Sequence, residues 1–215
     1  MSNPILHGAN LSPYVRKVRV ALAEKGIAYD AVPVFPFGER TEYRKISPLG
    51  KIPCWQEGDF TLPDSSAILA YLERKQPKPA LVPADAHEFG RALWYEEYAD
   101  SQLAIVCTPP FVQRVVNGKI MKQPVDEAAI QKAMTELAPP TFDYLEREIG
   151  DREFLAGGQF GIADIAVASF FVNMEHGGET VDASRWPKLA EYLDRIHSRP
   201  SYKPIIEEEK AGIPG

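Results

Sequence analysis

The chain has 215 residues, 45% hydrophobic and 25% charged, an ordinary balance for a globular protein of one large domain or two small ones. Its 24 basic against 30 acidic side chains leave a net charge of −6, which argues against nucleic acid or an anionic membrane as the main partner. No apolar run is long enough to span a bilayer, and two cysteines, Cys54 and Cys107, without CxxC spacing, point to a reducing cytoplasm rather than a disulfide framework.

Pro4-Ile5-Leu6-His7-Gly8 reads as a short strand. Ser12 then sits as the N-cap of a helix, with Pro13 at its first position and Gly26 just past its end. Val15, Val18, Ala21 and Leu22 form the apolar stripe of that helix, with Arg16, Lys17, Arg19 and Glu24 off it. Tyr29 to Val34 is a second strand, and Gly38 to Ile46 is polar and loosely helical. Lys51 to Gln56 and Phe60-Thr61-Leu62 form a hairpin across Glu57-Gly58-Asp59, and Asp64-Ser65 caps a helix that runs to Lys75. The expected order is βαβαββα.

Gln76-Pro77-Lys78-Pro79 with Pro83 is the clearest break in the chain. It divides an α/β domain over 1–77, a linker over 78–86 and an all-helical domain over 87–215. Helices are expected over 85–116, 126–149, 162–172 and 187–197. Thr108-Pro109-Pro110 and Ala138-Pro139-Pro140 should each kink or end the helix that contains them. His176-Gly177-Gly178 reads as a turn, and Glu207-Glu208-Glu209-Lys210 as a solvated tail. His7, His87, His176 and His197 are scattered without zinc-type spacing, so no metal is expected.

A hydroxyl at a helix N-terminus, beside unpaired N–H groups and the positive end of the dipole, suits an anion such as a thiolate, although Ser12 read alone is equally a plain cap. Ile52-Pro53 opens a strand where a cis bond would present the Ile52 main chain to a peptide added like a strand. Asp64-Ser65 offers a carboxylate, a hydroxyl and open N–H groups to a ligand that carries both ammonium and carboxylate, and Lys51 offers a cation to a second carboxylate. Each has a bland alternative as a helix cap or a solvated charge. Together they describe a receptor for a small thiol peptide such as glutathione.

These segments resemble the cytosolic glutathione transferase family over nearly the whole chain. Ser12-Pro13-Tyr14-Val15 is similar to the active-site segment of serine-type, tau-like and related bacterial members. Lys51-Ile52-Pro53 is similar to the family's cis-proline segment and Asp64-Ser65 to its γ-glutamyl segment. Phe154-Leu155-Ala156-Gly157 with Ile162-Ala163-Asp164-Ile165-Ala166 resembles its second-domain folding motif, with Gly161 where Ser or Thr is usual. The resemblance implies an α/β thioredoxin-like N-terminal domain, an all-α C-terminal domain and a cytoplasmic homodimer. It implies that Ser12 stabilises the glutathione thiolate for attack on a small hydrophobic electrophile. Lys51 would meet the glycyl carboxylate, Ile52 and Pro53 the cysteinyl unit, and Asp64 and Ser65 the γ-glutamyl end. Tyr14, Phe37, Cys107 and Phe111 are the expected lining of the electrophile pocket. With Ser12 and Val15 where redox relatives carry cysteines, disulfide exchange through this slot is excluded. Glutathione-dependent peroxide reduction or isomerisation, and a non-catalytic interaction role, remain open alternatives.

Overall fold

The computed structural model describes residues 3–35 and 41–215, which form two compact units divided between Leu81 and Val82. In the first unit four strands, β1 (Ile5–Gly8), β2 (Asp30–Pro33), β3 (Cys54–Glu57) and β4 (Phe60–Pro63), form one sheet in the order β2-β1-β3-β4. β1 and β2 run parallel, joined by helix α1 (Pro13–Lys25), and β3 and β4 are antiparallel additions. The expected second helix reduces, among the described residues, to one tight turn at Tyr43–Lys45. Residues 38–40 of that expectation lie outside the described residues.

The core follows from the period-two alternation of the strands. Leu6 and Trp55 are register partners that point to one face, where Val15, Val18 and Leu22 of α1 and Ile68 and Leu72 of α2 (Ser65–Lys75) cover them. The polar atoms trapped here are matched. Trp55 Nε1 donates to Glu57 Oε1 at 2.7 Å, and Glu57 also accepts from Tyr71 and Lys75. At the far end of α1 the wholly buried Lys25 ammonium donates to the carbonyls of Gln76 (2.7 Å) and Pro79 (2.8 Å) and pairs with Glu73 at 2.7 Å. A buried charge is tolerable only with such a complete set of partners.

The second unit is helical: α3 (Ala86–Tyr98), α4 (Ala104–Pro110), α5 (Glu127–Lys132), α6 (Ala138–Ile149), α7 (Ile162–His176), α8 (Pro187–His197) and α9 (Lys203–Gly212). α7 is apolar all round and almost wholly buried, with α3, α4 and α8 packed on it. Its N-terminus is held by Asp164, which has no exposed surface. Oδ1 accepts from Leu155 N–H (3.0 Å) and Tyr192 Oη–H (2.8 Å), and Oδ2 accepts from Gly161 N–H (3.0 Å). Gly161, having no side chain, supplies none of the reciprocal capping bond. No helix among the described residues is long and apolar enough to cross a membrane.

Two expectations need correction. The proline pairs do not end the helical run, which continues through π turns beside them. These span 99–103 and 111–120 on either side of Pro109-Pro110, and 133–137 just before Pro139-Pro140. Pro139 and Pro140 lie in the first turn of α6, where a missing N–H costs little. The Glu207–Lys210 run is no loose tail but part of α9, and Glu209 is buried against His176 with Oε2 3.0 Å from Nε2. Arg16 and Lys17, off the apolar stripe of α1, are also wholly buried.

Candidate functional site

The register of the sheet brings three separate segments to one of its ends. Gly8 closes β1 opposite Pro33, His7 lies opposite Cys54 at the start of β3, and Cys54 lies opposite Pro63 at the end of β4. The segment leading into α1, the segment before β3 and the segment after β4 therefore emerge side by side. They carry Ser12, Ile52-Pro53 and Asp64-Ser65. Gly8 is required at the first of them, because a Cβ there would lie 2.5 Å from Cγ2 of the stiff, buried Val15.

Ser12 is the N-cap of α1. Its N–H donates to the Ala9 carbonyl (3.0 Å), and its hydroxyl oxygen accepts from Val15 N–H at the long distance of 3.5 Å. The hydroxyl proton has no acceptor among the described residues. A donor at the positive end of a thirteen-residue helix is thus left for an anion.

Asp64 is the N-cap of α2 with φ 82°, a backbone region in which a side chain other than glycine is strained. Its Oδ1 accepts from both Ser66 N–H (3.0 Å) and Ala67 N–H (3.1 Å), while Oδ2 of this exposed residue takes no hydrogen bond among the described residues. Ser65 is buried, and its hydroxyl has no hydrogen-bond partner among the described residues. A buried hydroxyl without a partner is costly, so a group kept this way at a helix N-terminus is suited to an incoming acceptor.

The Ile52–Pro53 peptide bond is cis, as the sequence suggests. The Pro53 carbonyl accepts from Asp64 N–H at 3.2 Å, which ties this segment to the start of α2. The main chain of Ile52, outside β3, makes no hydrogen bond among the described residues. Lys51 is exposed, and none of the described carboxylates pairs with its ammonium. Its carbonyl is held by Tyr43 Oη (2.9 Å) and Ser47 Oγ (2.7 Å), two residues that the sequence reading passes over.

The residues expected around an apolar pocket are less coherent. Tyr14 is half-buried on the first turn of α1, and Phe37 lies outside the described residues. Cys107 and Phe111 belong to the second unit, where Cys107 is wholly buried, its thiol held protonated by that burial, and Phe111 is 7% exposed. In this conformation Cys107 presents no surface to a ligand.

Sequence models of a glutathione S-transferase N-terminal domain and C-terminal domain match residues 6–80 and 127–195. Glutathione S-transferase F10 of Arabidopsis thaliana is 31% identical over 200 residues, 88% of this chain and 90% of the relative. A maleylacetoacetate isomerase of Pseudomonas aeruginosa is 27% identical over 194 residues, 87% of this chain and 88% of the relative. The solved glutathione S-transferase of Methylobacterium radiotolerans, in complex with glutathione sulfonate, superposes with a TM-score of 0.77 at 28% identity, covering 95% of each chain.

Proposed function

Because this chain belongs to the glutathione S-transferase family, we propose that it is a serine-type member. In this reading it ionises the thiol of glutathione against Ser12 and directs the thiolate at a small hydrophobic electrophile. The observation that carries this is a pair of hydroxyls, Ser12 and Ser65, whose protons have no acceptor among the described residues, each at a helix N-terminus and both at one end of one sheet. They match a ligand that is anionic at two points, a thiolate and an α-carboxylate.

In this reading the γ-glutamyl carboxylate takes the Ser65 hydroxyl and the open N–H groups of α2, and its ammonium meets Asp64 Oδ2. Ile52 pairs main chain to main chain with the cysteinyl unit, and Lys51 meets the glycyl carboxylate. The thiol then lies at the start of α1, where Ser12 donates to the sulfur and the helix dipole favours its charge. Ionisation needs no base on the protein, since the proton leaves to solvent. The thiolate attacks an electrophile held beside it and displaces its leaving group. The electrophile pocket, for which Tyr14, Phe37 and Phe111 stay as candidates, and assembly as a cytoplasmic homodimer belong to the same proposal.

Ser65→Ala gives an early check with a two-sided signature. Loss of a hydrogen bond to a charged group costs about 1.5–3 kcal/mol, so the Kd of glutathione should rise at least about tenfold. Thermal stability should stay level or rise, because an unpartnered hydroxyl leaves the interior. A variant that melts lower and binds glutathione as before would show Ser65 to be a structural cap.

The kinship to an isomerase supports one alternative use of the same thiolate. Reversible addition to the double bond of a maleyl acid, rotation and elimination would regenerate glutathione and yield the trans isomer. Assay of a maleyl acid beside an aryl halide, with Ser12→Ala as control, separates the two reactions.

A further inference from the structure

The carbonyl of Lys51 accepts two side-chain hydrogen bonds from within its own loop, Tyr43 Oη–H at 2.9 Å and Ser47 Oγ–H at 2.7 Å. Two donors occupy both of its lone pairs, which leaves the peptide plane little freedom to rotate. The Lys51–Ile52 bond is not among the cis bonds, so the C=O of Lys51 and the N–H of Ile52 point in opposite directions from one rigid plane. Holding the carbonyl towards Tyr43 and Ser47 therefore aims the Ile52 N–H away from the loop, where no described group meets it.

The loop itself is braced for this. Ser47 is buried, Gly50 N–H donates to the Ser47 carbonyl at 2.7 Å, and Arg44 donates to the Pro48 carbonyl at 3.1 Å. Gly50 turns the chain with φ 65° towards Lys51. Tyr43 comes from the tight turn at the start of the loop and Ser47 from its middle, so two separate parts of the segment converge on one oxygen.

We propose that Tyr43 and Ser47 are positioning residues for peptide-ligand recognition, holding the Lys51–Ile52 plane so that the Ile52 N–H is preset for a ligand carbonyl. The ligand class is a peptide with an accepting carbonyl in its middle, and the inference rests on the glutathione reading above. Preorganisation lowers the ordering cost of binding and leaves the chemistry at the sulfur untouched.

The test is calorimetric titration of S-methylglutathione, whose blocked thiol removes any contribution from ionisation, into the wild type, Tyr43→Phe, Ser47→Ala, the double variant and Ser47→Thr. Conjugation rates at saturating glutathione are measured alongside. Each single loss should raise Kd about threefold to tenfold, the double variant more, and Ser47→Thr should restore affinity by restoring the hydroxyl. The rate at saturation should stay within about twofold of wild type, a split between affinity and turnover that general loosening of the fold would not produce. Tyr43→Phe keeps its ring and serves as the well-folded member if Ser47→Ala melts early. Unchanged Kd in folded variants, or a fall in saturated rate at unchanged Kd, would overturn the clamp. A wild type that binds neither S-methylglutathione nor glutathione would overturn the glutathione reading, and the clamp with it.

Discussion

Replacing Ser12 with alanine is expected to cut the rate of thiol conjugation at neutral pH and saturating glutathione about threefold, while the Kd of glutathione changes by less than about fourfold. A free cysteine thiol titrates near ~8.5, so little of it is thiolate at pH 7. One hydrogen bond to the developing charge contributes about 1.5–3 kcal/mol, or roughly one to two pKa units. Its loss lowers the thiolate fraction at pH 7 about eightfold to twenty-fivefold. The more basic thiolate is intrinsically more nucleophilic, with a Brønsted slope of about 0.4–0.5, and recovers part of that loss. A deficit of about threefold remains at pH 7, and it should vanish and then reverse as pH rises past the thiol pKa of the variant. Since the contact from Ser12 to Val15 N–H is long at 3.5 Å, loss of the cap should cost the fold less than about 1 kcal/mol. Stopped-flow conjugation over a pH series separates the two effects.

The largest expected loss of stability comes from Asp164→Ala. It would strand Leu155 N–H, Gly161 N–H and Tyr192 Oη in a site with no exposed surface. At about 1–3 kcal/mol for each buried orphan, a total of about 4 kcal/mol or more is expected, enough to threaten folding. Asp164→Asn separates the contributions. Its amide oxygen in the place of Oδ1 keeps the Leu155 and Tyr192 bonds, and its NH2 opposes only Gly161 N–H, so a loss of about 1–2 kcal/mol follows. The two variants also read the charge. Burial outweighs the donors and pushes the Asp164 carboxyl up to about 6 from 3.8. The folded state therefore holds this proton more tightly than the unfolded state, and the group's contribution to stability is largest below the unfolded pKa and is lost as pH rises through about 6. The stability of the wild type relative to Asp164→Asn should increase as pH falls from 7 towards 4, measured by urea unfolding at each pH. A constant difference over that range would place the carboxyl pKa at its ordinary value.

What is legible in the sequence is what local chemistry decides. Ser12-Pro13 and Gly26 bound α1 because caps act within one turn, and Pro53 and Asp64-Ser65 mark the other two segments of the site for the same reason. Burial decided by distant partners is not legible. Arg16 and Lys17 stand off the apolar stripe of α1, yet both are wholly buried. Glu209 sits in a run of charges whose pattern says tail, and only the packing of α9 on α7 brings it to His176. The helical run continues past both proline pairs through π turns, and a π turn has no sequence period of its own. Tyr43 and Ser47 lie eight and four residues before Lys51 without periodicity, so their convergence on one carbonyl is visible only once the loop is closed.

The measurement that bears most directly on the central claim is a pH titration of the thiolate absorbance of glutathione bound to the wild type and to Ser12→Ala. The bound thiol should ionise about one to two units below free glutathione in the wild type and return most of the way in the variant. The same midpoint in both proteins would contradict it.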